Sequence, residues 1–141
     1  LDHPYFSRPY PKSTGRELFS LSWPQGRLKG NEKPEDVIRT LVFYTAQTIF
    51  DATKQAAPAI HNLYICGGGI RNPVLMQDLE TLFSPDTKLH STAKLHLDPQ
   101  WVEAAAFAWL AACWCNQVPS NPHHATGAHS HRILGSGHYG N

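Results

Sequence analysis

Apolar positions recur at three- and four-residue spacing through Val37, Ile38, Leu41, Val42, Ala46, Ile49 and Phe50, and that spacing predicts one amphipathic helix. Pro34 suits its first position, and Glu35 and Asp36 favour the positive end of its dipole. The helix should run to Ala56, before Pro58. Asn62 to Cys66 is a short apolar run of good strand formers, ended by Gly67, Gly68 and Gly69. A second helix is predicted from Asn72 as cap and Pro73 as first residue. Its buried stripe is Leu75, Met76, Leu79, Leu82 and Phe83, and Ser84 and Pro85 stop it. Lys88 to Thr92 gives a second strand. A third helix is predicted to open at Asp98 and Pro99; from Ala104 to Cys115 it is apolar all round, so burial on most sides is expected. Upstream, Pro4, Pro9, Pro11, Pro24 and Pro34 keep residues 1–34 irregular, with one helical turn from Thr14 to Phe19 capped by Ser13. The order helix, strand, helix, strand, helix reads as α/β.

Composition sets residues 1–122 apart from a His-, Gly- and Ser-rich tail, 123–141, expected to be mobile or packed only along Ile133 and Leu134. With 41% hydrophobic and 16% charged residues the chain can build a core. A net charge of +1 gives no argument for a nucleic-acid or anionic-membrane partner. The apolar run from Ala104 to Cys115 falls short of the roughly 20 residues a bilayer span needs. No signal-peptide pattern opens the chain, and its start at Leu1, directly in a Pro-rich aromatic stretch, reads as a piece of something longer. Cys66, Cys113 and Cys115 form no CxxC pair and are read as buried thiols of a reducing cytoplasm.

Four features carry candidate chemistry. The first is strand, glycine run, then capped helix, from Leu63 to Pro73. Glycine lets the backbone approach a ligand, and ligands of open α/β sheets sit beyond the carboxyl ends of strands. A tight structural turn explains the same pattern equally well, and the run is neither GxGxxG nor a P-loop. The second is Lys12-Ser13-Thr14-Gly15-Arg16-Glu17, which suits a phosphate or sugar hydroxyls, or simply a capped turn. The third is Glu103, one turn into a helix at the edge of an apolar run, either a surface acid favoured by the dipole or a ligand-facing group. The fourth is the tail histidines His123, His124, His129, His131 and His138, whose Gly- and Ser-rich setting offers little preorganisation for a metal.

Taken together, these segments resemble the anhydro-N-acetylmuramic acid kinase family of the actin, hexokinase and heat-shock chaperone ATPase superfamily. The resemblance is carried by Asp2-His3-Pro4-Tyr5-Phe6 and Pro11 to Phe19 with its KSTGRE motif; by Asp36-Val37, Thr40-Leu41 and Thr45-Ala46; and by Cys66-Gly67-Gly68-Gly69 with Arg71-Asn72-Pro73 and Leu75-Met76. It continues through Asp98 to Ala104, Ala106 to Ala111, Thr126-Gly127-Ala128 and Ile133-Leu134-Gly135. Residues Lys88 to Leu97 depart from it: Ala93-Lys94-Leu95-His96-Leu97 stands where the family has a glycine. The family's N-terminal lobe, with its phosphate loop and catalytic aspartate, has no counterpart here.

The resemblance implies part of the C-terminal lobe of an actin-like, ribonuclease H-like fold. It implies an ATP- and Mg2+-dependent cytoplasmic enzyme, expected to be a homodimer, that converts 1,6-anhydro-N-acetylmuramic acid and water to N-acetylmuramic acid 6-phosphate in cell-wall recycling. Gly67, Gly68, Gly69, Arg71 and Asn72 would then meet the nucleotide, Glu103 the sugar, and Lys12, Ser13, Thr14 and Arg16 a phosphate or sugar. No catalytic residue is expected in this chain, which alone should be inactive. The alternative is a non-enzymatic nucleotide-binding or interaction domain of the same superfamily.

Overall fold

The computed structural model describes residues 3–10 and 12–138; Asp2 and Pro11 of the motifs above lie outside them. The helices are α1 (Pro4–Ser7), α2 (Ser22–Gln25), α3 (Pro34–Ala56), α4 (Pro73–Phe83), α5 (Val102–Cys115) and α6 (His123–Thr126). The strands are β1 (Asn62–Ile65) and β2 (Lys88–Ser91). By its contacts the chain divides into two compact units. One is Thr14–Pro99; the other joins the residues up to Ser13 with those from Gln100 onward, so the His-rich tail groups with α5.

The unit Thr14–Pro99 is built on a parallel pair. Asn62 faces Lys88 and Ile65 faces Ser91, with α4 as the crossover. Leu63, Ile65 and Leu89 point to one side and pack on a core of Ala46, Leu79 and Phe83, all 2% exposed or less. Phe50 of α3 meets Phe83 of α4 edge-on, with ring centroids 5.0 Å apart. Arg39 donates from both terminal nitrogens to the carboxylate of Asp78, at 2.8 and 2.7 Å, and so pins α3 to α4. Asp78 is buried while the Arg39 side chain is half exposed. Thr87 seals the entry to β2, its hydroxyl donating to the Ile60 carbonyl at 2.8 Å. Trp23 packs against Phe19 and Tyr44, and the Arg27 guanidinium lies 4.3 Å from its ring centroid.

The long helix keeps the predicted limits, but of its predicted apolar face only Ala46 and Phe50 join this core, and Val37, Leu41 and Val42 are half-buried outside it. Ile38 is 63% exposed and Ile49 also faces outward. The helical turn expected from Thr14 to Phe19 is a single turn closed by Leu18 N–H donating to the Gly15 carbonyl at 3.3 Å. One such bond does not offset the cost of nucleating a helix. The third helix starts at Val102, not Asp98, because the Pro99 carbonyl is turned toward Gly67 N–H at 2.8 Å.

In the other unit α5 is apolar as read, yet among its residues only Cys113 is buried. The tail is held at more points than Ile133 and Leu134. Asn121 clips it, its Oδ1 accepting from Arg132 N–H and its Nδ2 donating to the Ser130 carbonyl at 2.9 Å. Beyond the clip, Gly135 and Gly137 pass against the Trp114 indole, where a Cβ on Gly137 would overlap the ring. The thiols also depart from the reading: Cys113 is buried, while Cys66 and Cys115 are exposed.

Candidate functional site

The parallel pairing puts the carboxyl ends of β1 and β2 side by side, and both strands are followed by short 3-10 turns, Gly68–Arg71 and Thr92–Leu95. The bond between Gly67 N–H and the Pro99 carbonyl ties the two connections together. In an open α/β sheet this is the end where ligands bind. Gly67 has φ +80° and ψ −177°, a conformation essentially closed to other residues. Gly68 has no such constraint. A Cβ on either residue would meet nothing within 4 Å, whereas one on Gly69 would rest 3.5 Å from Leu75 Cδ2. The first two glycines therefore border open space and the third packs on α4.

Arg71 is exposed at the end of its turn. Asn72 is committed to its own helix, with Oδ1 accepting from Val74 and Leu75 N–H at 3.1 and 3.2 Å. That cap satisfies two of the free amides of α4, so an anion would find fewer donors there than the sequence pattern suggests. Thr92, which follows β2 directly, has a buried hydroxyl without a hydrogen-bond partner. Such an atom is costly to bury unpaired and marks a place for a further polar contact.

A second polar set stands on the outer face of the strand pair. His90 Nε2 lies 2.9 Å from Asn62 Oδ1, and its Nδ1 lies 3.1 Å from Lys94 Nζ. An amide oxygen on one side and an ammonium on the other fix the tautomer: Nε2–H donates to Asn62 and Nδ1 accepts from Lys94. The Tyr64 ring packs beside it at 5.3 Å. The sequence reading did not single these residues out, although the alternation of Asn62 and Tyr64 with Leu63 and Ile65 was the available signal.

Lys12 donates to the Phe6 carbonyl at 2.9 Å and stands 5.2 and 5.1 Å from the Tyr5 and Tyr10 ring centroids. Its charge is thus engaged by carbonyl and ring faces within its own segment. Ser13 is exposed in that unit, and Thr14 and Arg16 are exposed in the other. Glu103 is exposed in the first turn of α5, at the positive end of its dipole. In the tail, His123 packs on His124 and His131 with ring centroids 3.7 and 4.0 Å apart. Partial loss of solvation, then the charges of His124 and His131, lower the His123 pKa below its ordinary value. Among the described residues no three His, Cys, Asp or Glu side chains are placed to hold a metal ion.

A sequence profile of the family described as anhydro-N-acetylmuramic acid kinase matches residues 1–140. The chain belongs to the anhydro-N-acetylmuramic acid kinase family. It is 63% identical over 139 residues to the anhydro-N-acetylmuramic acid kinase of Neisseria meningitidis serogroup C / serotype 2a strain FAM18, covering 99% of this chain and 38% of that protein. The kinase of Neisseria gonorrhoeae strain FA 1090 gives the same identity and the same shares. That of Idiomarina loihiensis is 48% identical over 137 residues, covering 96% of this chain and 37% of the relative. The chain thus spans well under half the length of these kinases, and its mixed α/β architecture fits a sugar-kinase fragment.

Proposed function

We propose that this chain is the nucleotide-side part of an ATP-dependent kinase acting on 1,6-anhydro-N-acetylmuramic acid. The observation that carries the reading is the open space over Gly67 and Gly68 at the carboxyl end of β1, in a chain matched to the family over residues 1–140. In the reaction, water opens the anhydro bridge and the freed O6 takes the γ-phosphoryl group, giving N-acetylmuramic acid 6-phosphate and ADP. ATP suits the glycine loop, because backbone without side chains can lie against a flat base or ribose. Mg2+ would travel with the ATP phosphates, and the described residues offer no cluster for it. When bound, the metal offsets phosphate charge.

This chain's own residues bind and orient. Gly67 and Gly68 shape the nucleotide wall, and Arg71 lies exposed beside it. Glu103 is assigned to the sugar. Ser13, Thr14 and Arg16 are left for a phosphate or sugar, whereas Lys12 already has partners. Asn72 serves the site indirectly, by fixing the start of α4. The base that activates water is assigned to the part of the enzyme outside this chain. That part also completes the cleft, and the whole enzyme is proposed to be a cytoplasmic homodimer of cell-wall recycling.

The test is Gly68→Val in the full-length enzyme. Since a Cβ at Gly68 meets nothing within 4 Å, the fold should accept the substitution and the nucleotide should not. ATP affinity by calorimetry should fall on the order of tenfold or more, a loss of about 1.4 kcal/mol, with sugar affinity little changed. Equal losses for both ligands, or unchanged ATP affinity, would reduce the glycines to a structural turn.

A further inference from the structure

The stretch from Ser120 to Arg132 closes on itself. Ser120 N–H donates to the Arg132 carbonyl at 3.0 Å, and Arg132 N–H donates back to Asn121 Oδ1 at 2.6 Å. Asn121 Nδ2 reaches the Ser130 carbonyl at 2.9 Å. These bonds make the neck of a loop that lies wholly within one compact unit and contains α6. Three imidazoles meet in it. The His123 ring centroid lies 3.7 Å from that of His124 and 4.0 Å from that of His131, and His131 directly precedes Arg132 of the neck. Rings in contact leave little room for the water an imidazolium needs, and protons on two of them set like charges side by side.

Nothing nearby in the sequence offsets such charge. From Ala104 to Asn141 there is no Asp or Glu, and the one Lys or Arg is Arg132 itself. Glu103, the acid of this unit among the described residues, belongs to the first turn of α5. The charged groups that act on His123 are His124 from its own helix and His131 from the returning chain, both of the same sign. We infer that the Ser120–Arg132 loop is a pH-sensitive clasp, closed while its imidazoles are neutral and released when they take up protons. Because the closed loop lowers the His123 pKa, by desolvation first and by its two neighbours next, opening binds protons. The stability of closure is fully present above the ordinary histidine value of 6.5 and is lost as pH falls through it toward the lowered value. The chain beyond the neck passes Trp114 through Gly135 and Gly137, and it loses its anchor when the neck opens. None of these residues is assigned to ATP or sugar, so the clasp stands or falls apart from the kinase reading.

The experiment is hydrogen exchange of the full-length protein, read by peptide mass spectrometry at about pH 7.5 and about pH 5.5 and corrected for the intrinsic pH dependence of exchange. Peptides carrying the Asn121 and Arg132 amides should lose protection by on the order of tenfold or more, since each proton bound on opening favours it about tenfold per pH unit. The amides of α4 should keep theirs. With His123→Gln and His131→Gln together, the loop peptides should change by less than about threefold. If that variant is already open at the higher pH, His124→Gln replaces it and should change less than the unsubstituted protein. A loop unprotected at both pH values, or equally protected at both, would overturn the inference. So would a parallel loss in α4, which would mean general acid unfolding, or an undiminished pH effect in the variants.

Discussion

Gly67 and Gly68 are adjacent glycines held for different reasons. Gly67 has φ +80° and Gly68 does not, while both face open space. Strain of the first kind costs about 1–3 kcal/mol when a Cβ is added. Gly67→Ala should therefore lower the stability of the full-length enzyme by that amount in urea unfolding, and Gly68→Ala should change it by less than about 0.5 kcal/mol. Equal effects would mean that φ is not what selects glycine at Gly67. Glu103 poses the opposite problem, an exposed acid with no partner among the described residues that explains it. If it accepts from sugar hydroxyls, Glu103→Gln keeps its shape and removes its charge. In the full-length enzyme kcat/KM for the anhydro-sugar should fall on the order of tenfold, about 1.4 kcal/mol, with the KM for ATP unchanged. Kinetics matching the unsubstituted enzyme would return Glu103 to the role of a surface acid that stabilises the helix dipole.

At the scale of elements, legibility follows how local the determining physics is. Pro34, and Asn72 with Pro73, announce the starts of α3 and α4 because caps and fixed φ act within one turn. The start of α5 was misplaced because Pro99 is bound to Gly67, a partner 32 positions earlier that no local pattern shows. The glycine loop was legible as a candidate site, but the unpaired Thr92 hydroxyl and the His90 cluster were not, since each depends on neighbours brought in by the fold. The Arg39–Asp78 pair is of the same hidden kind, joining α3 and α4 across 39 positions. Its two parallel bonds to a buried carboxylate set it apart from a surface ion pair. Arg39 is half exposed and can rehydrate when its partner is lost. Asp78→Asn should therefore cost about 1–3 kcal/mol, below the penalty for stranding a buried charge. Urea unfolding of the full-length protein checks this, and a loss under about 0.5 kcal/mol would class the pair with ordinary surface contacts.

For the whole molecule, the question is how much catalysis the chain holds by itself. Phosphoryl transfer asks little covalent chemistry of a protein and depends on positioning and on charge placed around the transferring group. On the proposed reading the glycine loop meets the nucleotide, while the base and the rest of the cleft are assigned to the part of the enzyme outside this chain, which spans 38% of its relatives' length. Under that proposal a nucleotide bound to this chain alone would meet neither an activated water nor a sugar held in line with its γ-phosphate. Losing that alignment forfeits about 7–11 kcal/mol of barrier reduction, or roughly five to eight orders of magnitude in rate. The purified chain should thus show no ADP release stimulated by 1,6-anhydro-N-acetylmuramic acid, in a coupled assay where the full-length enzyme turns over. Circular dichroism of the same sample, showing the helical signal expected of α3, α4 and α5, makes a negative result a statement about catalysis rather than about folding. Sugar-dependent ADP release by the folded chain would overturn the assignment of the base to the rest of the enzyme, and would direct the search to the acids this chain does carry, Glu103 first.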